Sequence, residues 1–485
     1  MPTSPDEIYR ILIDANPWWD SGQVPSSLSP KYHRRDYFVL KSELERTPIV
    51  ALGGPRQVGK TTLLYQLIED LIASGTDPQY ILFVSFDLPG LGSVASSPLN
   101  DCLEVYSGRV LGLPWRSVRR KVHVFLDEIT KVGNWHQDLK GWFDFHYPIK
   151  FTVSSSSISE LRAGSAKSLV GRVSTHLLMT WKFVDVLMYL TGDDSWNNIG
   201  LRLRESFSDA VASSDPRILQ RRLRSFSPKL VGQRTNLQSK TDRYLLLDGF
   251  PELLDSRDMN WCARRLREYL TLTIANDLYR FLQIRATGLF EELLGLIARE
   301  SGQLISYRNL AETLKVEERT IVDYLDYLEG VFLVSRAQYY SESRAKRIRR
   351  QRKAHLSNPG LRSILLGGVS RRSLADPQFL GPQAESVVQD HSKRLVYCLN
   401  PGPDPEAFYW RDRQNHEVDI VVKIQGKPVP IEVKYRTDPH RGLEGLRSFM
   451  LETPEAPFGL VVTRDVLEVR DRILFVPLSH FLMMV

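Results

Sequence analysis

Cysteine is scarce in this chain of 485 residues: Cys102, Cys262 and Cys398 are the only three, and they stand far apart. Their spacing excludes a disulfide framework and a thiolate zinc motif and fits a reducing compartment, so a cytoplasmic location is expected. The ten histidines are dispersed, with none of the paired spacing that metal ligands use. Long apolar runs are lacking as well. No stretch reaches the roughly 18 consecutive apolar residues of a membrane span, and the closest approach, Ile473 to Val485, is interrupted by Pro477, Ser479 and His480. Met1 to Arg10 mixes acids with prolines and has no basic segment followed by an apolar core, so no secretion signal is read there.

The length predicts about three domains with ample apolar content for several cores. Lysine and arginine number 64 against 57 acids, a formal charge of +7, and the pI is near 9.1. That balance permits a nucleic-acid partner without requiring one.

The richest local signal is Gly54-Pro55-Arg56-Gln57-Val58-Gly59-Lys60-Thr61, followed by Thr62. Every fixed position of the phosphate-binding pattern G-x-x-x-x-G-K-[ST] is filled. Glycines at both ends let the backbone curl so that successive N–H groups face an anion, and the following helix adds its positive dipole end. Lys60 is then the charge for the β- and γ-phosphates of ATP, and the Thr61 hydroxyl is a Mg²⁺ ligand. The flanks agree, because Pro48 to Leu52 reads as a buried strand, while Leu63, Leu64, Leu67, Ile68, Leu71 and Ile72 recur at helical spacing.

A second apolar run, Lys121 to Leu126, ends in Asp127 and Glu128. Asp127 is expected to hold Mg²⁺ from the second shell and Glu128 to polarise the attacking water, so hydrolysis of ATP is expected as well as binding. Strands and helices alternate from about Tyr37 to Leu190, as a doubly wound parallel sheet demands. Lys150 to Val153 is the next strand, and the serines 154–157 read as its exit loop, where Ser155 or Ser156 is the γ-phosphate sensor candidate. Asn16-Pro17-Trp18-Trp19 and the Pro/Ser-rich Gly22 to Pro30 form an N-terminal arm that is expected to pack on this domain.

Asp127 to Val132 with Trp135 and Leu139, the serine loop, Leu169-Val170-Gly171-Arg172, Gly249-Phe250-Pro251-Glu252 and Ile431-Glu432-Val433-Lys434-Tyr435 resemble AAA-type P-loop ATPases of bacteria and archaea that carry a C-terminal domain of unknown function. The sensor loop departs from that pattern, with Val153-Ser154-Ser155-Ser156 in place of a Thr-Gly-Ser-Ser type run. The resemblance makes Arg172 the arginine-finger candidate, which would act between subunits of a homo-oligomer. The alternative is an arginine bound to a local carboxylate.

Helical patterns over 196–285 read as a lid and linker. From about Phe290 the order is helix, helix, turn, helix, hairpin: Ser306 caps Tyr307 to Leu314, Glu317 to Leu328 is the second helix, and Val331 to Tyr340 the hairpin. That order is a winged helix. Its second helix carries Glu317, Glu318, Asp323, Asp326 and Glu329 against Arg319, a poor face for groove reading. Beyond it Arg344, Lys346, Arg347, Arg349, Arg350, Arg352 and Lys353 put seven cations within ten residues. This cluster is the expected contact for nucleic acid, DNA in the first instance, through phosphates rather than bases.

The last hundred or so residues hold a second constellation. If Gln425-Gly426 is a two-residue hairpin turn, Asp419 lies opposite Glu432, and the pleat puts Lys434 on the same face. Asp419 and Glu432 would bind Mg²⁺, with Glu385 from a helix completing the shell and Lys434 steadying the nucleophile. The arrangement resembles the PD-(D/E)xK nucleases; the alternative is a cross-strand ladder of ion pairs. The fold class expected is α/β: an arm (1–36), an AAA-type P-loop core with parallel sheet (37–195), the lid and linker (196–285), a winged helix (286–342), a basic loop (343–378) and an α/β nuclease-like domain (379–485). Two functions follow. Either ATP turnover serves a metal-dependent nuclease, or the ATPase is a conformational switch and the nuclease fold a binding scaffold. A simple P-loop kinase would explain neither the basic cluster nor the C-terminal domain.

Overall fold

The computed structural model describes residues 4–91, 97–226, 234–247, 249–278, 287–370, 372–400, 406–436 and 438–485. Parts of the expected lid and linker, 227–233 and 279–285, with residue 286 at the expected start of the winged helix, lie outside the described residues. The chain forms two compact units, Met1–Met179 with Gly330–Phe332, and Thr180–Glu329 with Leu333–Val485. The amino-terminal stretch of the first unit runs to Met179. None of the described helices is long and apolar enough to cross a membrane.

The first unit is built on five parallel strands, β1 (Ile49–Gly53), β2 (Ile81–Ser85), β3 (Val122–Asp127), β4 (Ile149–Ser155) and β5 (Val173–Leu177), in the order β2-β3-β4-β1-β5. Strands β1 to β3 are buried throughout and mostly apolar, as a sheet covered on both faces requires. The acid strand β3 is separated from the phosphate-loop strand β1 by β4, whose carboxyl end carries Ser154 and Ser155. The serines expected as an exit loop are thus partly strand, placed between the loop and the two acids.

The arm closes the β2 edge. Helix α1 (Pro5–Ala15) is capped by the Ser4 hydroxyl, and α2 (Trp18–Ser21) follows at once. Between them Asn16, 1% exposed, donates from Nδ2 to the Leu12 and Phe83 carbonyls at 2.7 and 2.9 Å and accepts the Phe83 N–H at 2.6 Å. The indole N–H groups of Trp18 and Trp19 both reach the Ile81 carbonyl, at 3.1 and 2.9 Å. Side chains therefore satisfy edge-strand backbone groups that another strand would otherwise seek.

In the second unit, a six-stranded mixed sheet runs β12-β13-β11-β10-β9-β8. Its strands are β8 (Ala407–Arg411), β9 (Glu417–Ile424), β10 (Lys427–Lys434), β11 (Gly459–Thr463), β12 (Glu468–Arg470) and β13 (Ile473–Pro477). Gln425 and Gly426 have φ of 52° and 78°, the left-handed pair of a two-residue hairpin turn, and Lys427 pairs with Ile424. Pro428 and Pro430 precede the stretch of β10 that pairs with β11, which starts at Ile431, so neither missing N–H costs a ladder bond there.

The helices Thr287–Arg299, Tyr307–Leu314 and Glu318–Gly330 follow the expected order, and Ser306 caps the second by accepting the Asn309 N–H. The hairpin differs from expectation. Strand β6 (Val334–Ala337) pairs not within Val331 to Tyr340 but with β7 (Lys353–Leu356), and a bridge joins Leu304 to Lys353. The segment expected as a basic loop therefore lies partly between two paired strands, and it holds the short helix Arg344–Arg349. A two-period pattern in four residues cannot specify a partner strand so far along the chain.

Candidate functional site

The phosphate loop takes its shape from Gln57 at φ 62° and Gly59 at φ 93°, and helix Lys60–Ala73 starts directly after it. Gly54 donates its N–H to the Ser155 carbonyl at 3.1 Å, and a Cβ there would stand 2.0 Å from the Leu178 carbonyl oxygen. Only glycine fits that approach. The Lys60 ammonium, 5% exposed, rests on the carbonyls of Gly54 (2.9 Å) and Pro55 (3.1 Å) and lies 3.4 Å from Glu128 Oε1. Thr61 donates to Asp127 Oδ2 at 3.0 Å.

The serines sort the two acids. The Ser154 hydroxyl donates to Asp127 Oδ1 and accepts the Glu128 N–H, while Ser156 gives both its N–H and its hydroxyl to Glu128 Oε2, each at 2.9 Å. Glu128 adopts the left-handed conformation, φ 52°, which turns it out of the strand direction toward Lys60. Burial, with the Glu128 charge next, pushes the Asp127 carboxyl above its ordinary range. Burial works the same way on Glu128 but is outweighed by Lys60, Arg56 and the Ser156 hydrogen bonds, which hold that carboxyl below its ordinary range. Ser155 is engaged elsewhere: its hydroxyl pairs with Thr130 at 2.7 Å and accepts the Ser157 N–H. Of the two sensor candidates, it is Ser156 whose side chain touches an acid of the site, Glu128.

Arg172 stands at the amino end of β5, whereas the phosphate loop leaves the carboxyl end of β1, and Ile49 at the start of β1 donates to the Arg172 carbonyl. Its guanidinium pairs with Asp144 at 3.1 Å and covers the Phe143 ring at 4.9 Å. It stands away from the nucleotide site of its own chain, where a finger acting between subunits would also stand, and it is held by a local carboxylate.

In the second unit the β9–β10 register pairs Ile420 with Ile431, so the next step sets Asp419 beside Glu432. Asp419 Oδ2 accepts the Val433 N–H at 2.8 Å, and Lys434 reaches Glu432 Oε1 at 2.5 Å. Glu385, on the helix Pro377–Leu399, faces Lys353 of β7 at 3.5 Å, and the same ammonium contacts Glu417 at 2.5 Å. Burial, reinforced by neighbouring carboxylates and partly offset by lysine, pushes both Glu385 and Glu432 up to about 8. Among the described residues no three His, Cys, Asp or Glu groups stand together as a metal-holding set. Two of the expected ligands already have an ammonium partner, Glu385 in Lys353 and Glu432 in Lys434, while Asp419 accepts the Val433 N–H.

The basic segment is also less uniform than its sequence. Arg344, Lys346, Arg349 and Arg350 are exposed, whereas Arg347 is half-buried, 3.6 Å from Glu406, and Lys353 is 1% exposed. Lys346 and Arg350 both lie against the Tyr339 ring. Of the acids on the helix Glu318–Gly330, Asp326 and Glu329 are paired with Arg336.

Residues 46–187 match the family described as AAA domain. They are an AAA-type P-loop ATPase domain. Residues 238–372 and 380–481 of the chain match two families described as domains of unknown function, DUF8612 and DUF4143. An uncharacterized protein of Mycobacterium tuberculosis is 25% identical over 423 residues, 87% of this chain and 78% of that protein. One of Methanocaldococcus jannaschii is 24% identical over 473 residues, 95% of this chain and 91% of that protein. Among solved structures, the Walker-type ATPase PABY2304 of Pyrococcus abyssi has a TM-score of 0.41 at 15% identity, covering 69% of this chain and 96% of that one.

Sequence reasoning missed several residues of the ATPase domain. Ser154 was legible only as a member of a serine run, and the contacts of Ser154 and Ser156 with the two acids follow from β4 lying between β1 and β3. Arg34 gave no signal. It is 5% exposed and donates to the carbonyls of Val58 in the loop (3.3 Å) and Met179 (3.0 Å), tying the arm to the phosphate loop. For Mg²⁺ the oxygen set is apt: a Thr61 hydroxyl already in contact with the Asp127 carboxylate is the hard donor pair that this ion takes alongside phosphate oxygens.

Proposed function

We propose that the protein binds and hydrolyses ATP with Mg²⁺ at the site formed by Gly54–Thr62, Asp127 and Glu128, and uses the nucleotide state as a conformational switch. The observation that carries this reading is the contact of Lys60 with Glu128 at 3.4 Å, with Ser156 holding the far carboxylate oxygen. The P-loop cation and the acid that would activate water are thereby within one ion's reach of each other. On nucleotide entry Lys60 exchanges the Gly54 and Pro55 carbonyls for the β- and γ-phosphate oxygens. Thr61 and Asp127 would hold Mg²⁺, which supplies charge neutralisation on those phosphates. Glu128 accepts the proton of the water that attacks the γ-phosphorus as the bond to the bridging oxygen breaks. Ser156 keeps the carboxylate oriented.

We assign the C-terminal half to nucleic-acid binding, DNA in the first instance. The order of three helices and the β6–β7 pair supports a winged-helix reading, with exposed Arg344, Lys346, Arg349 and Arg350 as phosphate contacts. A second reading makes the β9–β10 cluster a nuclease-like centre of the PD-(D/E)xK kind. It is favoured by the position of Asp419 beside Glu432 and by Glu432 Oε2, which has no hydrogen-bond partner although the residue is 5% exposed.

The test is ATP hydrolysis by the full chain beside Lys60→Ala, followed by DNA binding and cleavage in the same samples. Hydrolysis lost in Lys60→Ala supports the ATPase reading. DNA binding that weakens steeply with salt and changes with nucleotide supports the switch, and divalent-dependent cleavage lost in Lys434→Ala supports the nuclease.

A further inference from the structure

The phosphate loop carries two cations. Lys60 rests on the loop's own carbonyls, whereas the guanidinium of Arg56 reaches Asp87, Nη1 to Oδ2, at 3.4 Å. Asp87 stands two residues beyond β2, whose last residue Ser85 pairs with Asp127. Phe86, between them, donates its N–H to the Asp127 carbonyl at 3.0 Å, so Asp87 belongs to the same carboxyl edge of the sheet as the two acids of the site. The charge of Arg56 also acts on Glu128, second among the cations to that of Lys60. One guanidinium thus stands near two carboxylates, Asp87 and the acid that meets the attacking water.

The pair with Asp87 is a loose one. A charge-assisted bond from guanidinium to carboxylate closes to about 2.7–2.9 Å; this one stays longer, its carboxylate is exposed, and Lys131 holds the other oxygen, Oδ1. Lys131 ends the short turn Ile129–Lys131 and donates its N–H to the Glu128 carbonyl at 3.0 Å. Asp87 therefore keeps an ammonium partner when Arg56 departs. Breaking so exposed and so long an ion pair costs little.

We propose that Arg56 is a catalytic arginine supplied by the chain that binds the nucleotide: it leaves Asp87 and sets its guanidinium on the γ-phosphoryl oxygens as charge develops there. The proposal rests on the ATPase reading of the site. The water oxygen bonds to the γ-phosphorus, the bond to the bridging oxygen breaks, Glu128 takes the water's proton, and the leaving ADP keeps the electron pair. Arg56 forms no covalent bond in this step. Its planar fork of donors matches the charge spread over the transferring oxygens, which a single ammonium does less well. One chain then suffices for turnover, whereas a finger acting between subunits, the role considered for Arg172, needs two.

The test compares Arg56→Ala and Asp87→Asn with wild type in the full chain. Two quantities are read with Mg²⁺ present: ATP turnover, and the affinities for a non-hydrolysable ATP analogue and for ADP with aluminium fluoride, which copies the transferring phosphoryl group. Arg56→Ala should lower turnover by about 10²–10³-fold or more and lose fluoroaluminate affinity to match, while the ATP analogue binds within about tenfold of wild type. Asp87→Asn should keep all three, because its pair with Arg56 belongs to the resting site, and turnover per chain should not vary with protein concentration. Equal loss of both affinities in Arg56→Ala, or the same losses in Asp87→Asn, would make the pair a brace of the loop and overturn the proposal. Turnover that survives Arg56→Ala but is lost in Arg172→Ala overturns it too. In each of these cases wild-type turnover that depends on Lys60 leaves the ATPase reading standing, whereas a wild type that binds ATP without hydrolysing it takes both down. Should Arg56→Ala not fold, Arg56→Lys decides. It keeps the charge without the fork, so fluoroaluminate affinity should fall while the ATP analogue is held, and retention of both overturns the proposal.

Discussion

Asn16→Ala isolates one device that holds the ATPase domain together. The side chain makes three buried hydrogen bonds, and two of them serve Phe83, the residue whose N–H and carbonyl face out of the β2 edge. Alanine leaves both of those backbone groups without their partner beneath α1, in a site where Asn16 is 1% exposed. Each buried unsatisfied group costs about 1–3 kcal/mol, so the pair predicts a loss of roughly 2–5 kcal/mol once some water entry is allowed. Against a domain stability of about 5–15 kcal/mol that is a large fraction. The assay is urea unfolding of the full chain followed by a probe in the first unit, with hydrogen exchange at Phe83. Trp19→Phe is the internal control, since the Ile81 carbonyl keeps its Trp18 donor and the expected loss is below about 1 kcal/mol. An Asn16→Ala protein destabilised by less than about 0.5 kcal/mol, with Phe83 exchange unchanged, would refute the edge-capping argument.

Two further outcomes are expected. Glu128→Gln keeps the side-chain volume and its Ser156 contacts but cannot take a proton, so ATP turnover should fall by about 10²–10⁴ while nucleotide affinity measured with a fluorescent analogue is kept; equal loss of affinity and turnover would assign Glu128 to binding instead. Glu432→Gln tests the buried carboxyl of the second unit. A folded-state value raised to about 8 means that folding favours the protonated form, so this stability is full below the ordinary glutamate range and is lost as pH rises through about 8. Glutamine copies the neutral form, so in the absence of divalent ions the variant should melt above wild type at alkaline pH and close to it near pH 5. A variant that melts lower at alkaline pH would show that the Lys434 ion pair outweighs desolvation.

Much of the ATPase domain was legible because its signals are local. A phosphate loop needs glycines and a lysine at fixed spacing, and β3 announces itself as an apolar run ending in Asp127 and Glu128. The β9–β10 register was equally legible, because Gln425-Gly426 fixes a two-residue turn and the pleat does the rest. What escaped depends on chain segments meeting at a distance. Asn16, Trp18 and Trp19 look like a Pro-rich arm until β2 proves to be an edge. The Asp144 partner of Arg172, and its place at the amino end of β5, likewise follow only from the sheet. Lys353 is one cation of seven in sequence, and only the pairing of β6 with β7 turns it inward among carboxylates. The same pairing corrected the hairpin read at Val331 to Tyr340.

The central claim concerns the nucleotide, and phosphate release from ATP with Mg²⁺ by the full chain is the measurement that addresses it most directly, with Lys60→Ala run in parallel. The account predicts steady turnover by the wild type and a loss of about 10²-fold or more in Lys60→Ala, as expected when a charge on the transferring phosphoryl group is removed. Turnover by Lys60→Ala equal to wild type, or ATP bound by a folded wild type that never releases phosphate, would contradict it.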